Sequence, residues 1–115
     1  MKALLKLNYD DNELTGAIIH LSDDQTSIDF DFEIPEKPAS LLQFINDLES
    51  GKKQKWVPSG WNEDISIDTD GSKTNFHIGK YGGDVGAGVV ITVQNSIVLS
   101  PFQELKRIIQ SSQKN

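Results

Sequence analysis

The sequence predicts an α+β fold: a mainly antiparallel sheet of about six strands with two helices packed on one face. Three observations point there. Apolar and polar residues alternate in several short runs, the period of a half-buried strand. Turn-forming residues separate these runs closely enough for hairpins. Two stretches switch to helical spacing, one mid-chain and one near the C-terminus. The order reads βββα, a loop, then βββα. Such a meander leaves one sheet face wet and polar.

Each element has its own local reason. Ala3–Tyr9 is read as the first strand, Asp10-Asp-Asn-Glu13 as a turn and Leu14–Leu21 as the second strand. Ser22-Asp-Asp-Gln25 is a second turn, and Thr26–Ile34 a third strand that Pro35 ends. Pro38 then opens a helix, where its missing N–H is not needed. Leu41, Leu42, Phe44, Ile45 and Leu48 supply its apolar stripe, and Gly51 closes it. Lys52–Trp61 reads as a loop. Ile65–Thr69 and Thr74–Lys80 are strands joined at Asp70-Gly71, a pair that favours a type I′ turn. Tyr81–Gly86 is a glycine-rich connection, and Ala87–Gln94 a strand rich in β-branched residues. Ser100 and Pro101 fit the cap and first position of a last helix, with stripe Phe102, Leu105, Ile108 and Ile109. The tail over residues 111–115 is polar and expected to fray.

The 115 residues fit one domain. There are no cysteines, which excludes disulfides, thiolate metal sites and a cysteine nucleophile. No run approaches the ~20 apolar residues of a membrane span, and the N-terminal apolar run is too short for a signal peptide. The expected home is the cytoplasm. Charge is uneven: residues 1–50 carry 11 acidic residues against 3 lysines, a net of −8. Residues 51–115 carry 6 acidic against 8 basic, a net of +2. An acidic field repels nucleic acid and anionic membrane and speeds encounter with basic partners.

The third strand concentrates that charge. Ile28, Phe30, Phe32 and Ile34 share one face, and Asp29, Asp31 and Glu33 share the other. A carboxylate row without interleaved Lys or Arg suits a surface that meets positive charge. Asp64, Ser66, Asp68 and Asp70 repeat the alternation and are expected to extend the same face.

Other constellations weaken on inspection. The glycines of Gly83-Asp-Val-Gly-Ala-Gly88 lead into a strand, not the helix N-terminus that a phosphate cradle needs; a hairpin or bulge accounts for them. Counted from Asp68, glycine falls at position 4 and Gly79 at position 12, where a calcium loop needs glycine at 6 and glutamate at 12. Asp10-Asp11 and Asp23-Asp24 read as turn residues, not ion ligands. His20 and His77 have no His or Cys at ligand spacing. His77 shares the polar face with Asn75. The domain reads as too small to enclose a sugar cleft between paired carboxylates. Lys52, Lys53 and Lys55 lack the aromatics of a nucleic-acid site. Trp56 and Trp61 flank Val57-Pro-Ser-Gly60, either as a lid on the core or as anchors at a binding surface, Trp61 being the better core candidate.

The second half carries Trp61, Ile65-Ser-Ile-Asp68, Thr74-Asn-Phe-His-Ile78, Gly82-Gly83, Val89–Val93 and Phe102-Gln-Glu-Leu-Lys-Arg-Ile108. In this it resembles immunity proteins of bacterial contact-dependent growth inhibition and related polymorphic-toxin systems. The resemblance implies a non-enzymatic protein that binds a cognate toxin domain, commonly a basic nuclease, and blocks it. It carries over no catalytic residue, metal or cofactor. Charge complementarity agrees independently, since it speeds association and selects a partner. The expected contacts are Asp29, Asp31 and Glu33, supported by Asp23, Asp24 and Asp68, with Trp56, Tyr9 or Tyr81 as buried anchors. Two alternatives stand beside this: an oligomeric adaptor or homodimer joined at a sheet edge, and a small hydrolase using His77 with a carboxylate.

Overall fold

The computed structural model describes residues 1–35, 37–58, 65–78 and 89–112. The class is α+β, with antiparallel strands and two helices, as the alternation predicts. The strands do not form one sheet. Seven described strands divide into two: β1 (Lys2–Asp10), β2 (Glu13–Ser22) and β3 (Ser27–Glu33), and then β4 (Gln54–Trp56), β5 (Ile65–Thr69), β6 (Lys73–Ile78) and β7 (Val89–Gln94). Each sheet follows chain order, so every pairing is between neighbours in sequence. Helix α1 (Ala39–Glu49) joins the sheets, and α2 (Asn95–Ser112) ends the chain. Among the described residues, no helix is long and apolar enough to cross a membrane.

The first sheet forms as its pattern dictates. Ala17, Ile19 and Leu21 of β2 and Phe30 and Phe32 of β3 are buried, while Asp29, Asp31 and Glu33 stay exposed. The β1–β2 turn places Asp11 at φ 49° and Asn12 at φ 67°, the two left-handed positions of a two-residue hairpin. Asn and Asp tolerate that region best among residues with a side chain. The β5–β6 connection differs from the expected type I′ turn. Gly71 alone is left-handed, at φ 101°, and the Asp70 carboxylate accepts the N–H groups of Ser72 and Lys73.

Helix α1 closes as Gly51 predicts. Gly51 N–H donates to the Leu48 carbonyl and Lys52 N–H to the Asp47 carbonyl, a Schellman ending with Gly51 at φ 70°. The stretch read as a loop from Lys52 contains β4, and side chains explain why. Buried Asp47 accepts from Gln43 Nε2 at 3.0 Å and from Gln54 Nε2 at 2.7 Å. Trp56 Nε1–H donates to Ser40 Oγ at 3.2 Å. The Gln54 and Trp56 bonds hold β4 against α1.

Helix α2 starts five residues before the expected Ser100 cap. Asn95 ties its N-terminus to the second sheet: Thr74 Oγ1 donates to Asn95 Oδ1 at 2.5 Å, and Asn95 Nδ2 donates to Thr69 Oγ1 at 3.1 Å. Pro101 therefore lies inside the helix. The proline lacks the N–H for the bond to residue 97, yet buried Val98, Pro101, Phe102, Leu105 and Ile109 keep one continuous stripe. The helix runs to Ser112, two residues into the expected frayed tail.

The two sheets share one core. Phe30 of β3 meets Phe76 of β6 with ring centroids 5.0 Å apart, and Phe32 meets Trp56 at 5.3 Å. Phe44 of α1 bridges Trp56 and Phe102. Glu49 accepts from Lys106 Nζ at 2.7 Å and Gln103 Nε2 at 3.1 Å, which joins the helices outside the core.

Candidate partner-binding surface

Strand β3 is an edge of the first sheet, and its outer side chains are the predicted row Asp29, Asp31 and Glu33. Register places them in ranks across the sheet: Leu4–His20–Asp29, Lys6–Ile18–Asp31 and Asn8–Gly16–Glu33. The acids are not equivalent. His20 Nδ1–H donates to the Asp29 carboxylate. That bond holds the Asp29 pKa below its ordinary value, with slight burial opposing and the charges of His20 and Lys6 assisting. None of the ion pairs among the described residues involves Asp31 or Glu33.

Asp31 and Glu33 also line an open cleft of about 1110 Å³. Its other walls are Asn8, Asn12, Glu13 and Thr15 of the β1–β2 hairpin, Pro35 and Pro38, and Ile109 and Ser112 of α2. A bulge shapes it. The pairing steps from Asn8↔Gly16 to Tyr9↔Leu14, which leaves Thr15 as the extra residue. Thr15 turns its carbonyl to the Ile34 N–H at 3.0 Å. A bulge bends and twists its strand, here at the hairpin end that carries Glu13. Among the described residues, no Lys, Arg or His lines it. Ile109 and Ser112 bring the last described turn of α2 to the cleft, and that turn holds no basic residue. Glu13 and Asn12 join the cleft although the sequence marked them only as turn residues.

The remaining predicted residues go elsewhere. Asp23 and Asp24 lie in the β2–β3 turn, at the opposite end of the sheet from Glu33. Asp23 accepts the N–H groups of Gln25 and Thr26, with the Thr26 hydroxyl, and those bonds lower its pKa. Asp68 does not extend the row. It lies on the second sheet, where Asn75 Nδ2 donates to one oxygen at 2.8 Å and His77 Nε2 pairs with the other at 2.5 Å. Ser66 beside it is buried. Trp56 is a core residue, 5% exposed, with no face left for a partner. Its indole completes the Phe32–Phe44 cluster, which is the lid role and not the anchor role. Tyr9 is exposed at the hairpin tip. Trp61, Asp64, Tyr81 and the Gly83–Gly88 stretch lie outside the described residues.

His77 is oriented by a carboxylate, as acid–base chemistry requires. Neither of the two clefts described includes it. Among the described residues, no group of three His, Asp or Glu side chains has the arrangement of a metal site.

The His20–Asp29 bond has a testable sign. A carboxylate whose folded pKa is lowered stabilises the fold above its unfolded pKa, and that contribution is lost as pH falls through the folded value. His20→Ala is expected to return the Asp29 pKa to the ordinary aspartate range and to weaken the acid-side loss of stability. Carboxyl NMR titration between about pH 5 and pH 2 reads this directly. An unmoved Asp29 titration would remove His20 as the cause.

No family model, curated protein or solved structure matches the chain.

Proposed function

We propose that the protein is a non-enzymatic inhibitor of the immunity-protein kind. It binds a basic, nuclease-type toxin domain in the cytoplasm through its acidic cleft and β3 edge. The observation that carries this is the cleft itself: Glu13, Asp31 and Glu33 line it, and among the described residues no basic side chain does. A nuclease holds phosphate with Lys and Arg, and a row of carboxylates in a concave site competes for those groups. The polar lining from Asn8 and Asn12 adds hydrogen-bond partners beside the charges. The site is revised from the sequence reading: Glu13, Asp31 and Glu33 form its centre, Asp29 is its His20-paired neighbour, and Asp23, Asp24, Asp68 and Trp56 fall outside it.

The test uses the domain encoded by the reading frame immediately upstream of this gene. Its C-terminal domain is expected to bind at low salt, and raising the salt is expected to slow association. The double reversal Asp31→Lys, Glu33→Lys is expected to lower the association rate by about tenfold or more, with a smaller effect on dissociation. An unchanged association rate and an unchanged salt slope would remove the electrostatic reading. No binding at low salt would remove the inhibitor reading for that partner.

A further inference from the structure

The outer face of the first sheet carries both signs of charge, separated by strand. Edge strand β1 presents Lys2, Leu4 and Lys6, central β2 presents Ile18 and His20, and the opposite edge β3 presents Asp29, Asp31 and Glu33. Leu4 is 58% exposed on the edge strand β1. Lys6 and Asp31 share one rank with Ile18 between them. Two strand spacings, about 10 Å, hold them apart, and they form no ion pair with each other.

We propose that this face docks a second copy of the chain, as a weak isologous dimer. The charge pattern selects the geometry. A two-fold axis parallel to β2 lays β1 of one copy over β3 of the other and keeps each rank level. Lys6 then faces the partner's Asp31, and the same contact repeats by symmetry. Ile18 meets its own counterpart at the centre, and one rank along Leu4 lies over the Asp29–His20 pair of the other copy. Sheets stack about 10 Å apart, within reach of a lysine and a carboxylate extended toward each other. An axis across the strands is excluded by the same pattern, since it sets β1 on β1 and β3 on β3, like charge on like. The area sets the strength. Three strands over about seven residues give a footprint of roughly 350 Å² per copy, below the ~800 Å² of a standard interface, so the dimer belongs to the transient class. This goes beyond the inhibitor reading. Asp31 serves both contacts, so the second copy and a basic partner exclude each other.

The experiment is sedimentation equilibrium from about 10 μM to 1 mM at low and high salt, where screening separates the cases. The wild-type mass is expected to rise toward twice the monomer value at high concentration and low salt, and to fall back in high salt. Lys6→Glu and Asp31→Lys alone are each expected to stay monomeric, because each puts like charges together twice. Mixed in equal amounts, they are expected to pair, since both contacts of the mixed dimer become attractive. That mixed recovery also shows both variants folded. A wild-type monomer at 1 mM would overturn the proposal, even if the upstream domain binds. A wild-type dimer indifferent to either reversal would place the contact elsewhere and overturn it equally.

Discussion

Phe30→Ala is expected to lower the unfolding free energy by about 3–5 kcal/mol, the range of a large aromatic removed from a packed core. Phe30 is 1% exposed. Its ring stands edge-on to Phe76 at 5.0 Å and tilted against Phe32 at 5.9 Å. Phe76 belongs to β6, so this pair joins two sheets that share no backbone hydrogen-bond ladder. Alanine removes the buried area, leaves a cavity and loses the ring geometry, which by itself contributes about 0.5–1.5 kcal/mol per aromatic pair. A domain of this size holds only about 5–15 kcal/mol in total. The variant is therefore expected near the edge of folding at room temperature. Urea denaturation followed by circular dichroism measures it, and Ile28→Ala on the same strand, only half-buried, is the control with a smaller loss. A cost for Phe30→Ala no larger than that of Ile28→Ala would mean that Phe30 does not join the sheets.

Gly71→Ala is expected to cost about 3 kcal/mol, from backbone strain and a steric clash together. Gly71 sits at φ 101°, and a Cβ there would lie 2.6 Å from the Gly51 carbonyl oxygen. That atom is backbone at the end of α1, held by the Schellman bonds, so it cannot move aside without opening the helix end. Gly51→Ala makes the comparison. Its φ is 70°, but its Cβ would meet nothing nearer than the Gly71 carbonyl oxygen at 3.7 Å. The strain of a left-handed alanine, about 1–2 kcal/mol, is then all it adds. Thermal or urea unfolding of both variants tests the contrast. Equal costs at the two positions would show that the close approach of the two turns contributes nothing.

Much of the fold is legible because its signals are local. The alternation at residues 28–33 reports a strand with one buried face, since side chains alternate sides whatever the strand later packs against. Gly51 reports a helix end, because the left-handed C′ position favours glycine on steric grounds alone. Asp11-Asn12 reports a tight turn for the same kind of reason. Strand β4 is not legible in this way. It has three residues and no alternation to read, and it exists because Asp47 and Ser40 on α1 hold Gln54 and Trp56 in place. The start of α2 at Asn95 is likewise set by Thr69 and Thr74 on other strands, not by a local cap.

The candidate site divides along the same line. The acidic row on β3 and the cationic lysines of β1 follow from the order of residues. That Glu13 joins Asp31 and Glu33 at one cleft, while Asp68 turns to His77 on a different sheet, does not. Alternation assigns a side chain to a face, but two faces with the same pattern look alike until strands choose their partners. The amino-acid order by itself determined most of the strands, the bodies of both helices and the tight turns, and that one strand would carry a row of carboxylates. Tertiary structure alone decided that the strands form two sheets, that Trp56 is core and that a bulge opens an acidic cleft. Pairing, packing and bulge geometry depend on contacts between residues far apart in the chain, which no local period encodes.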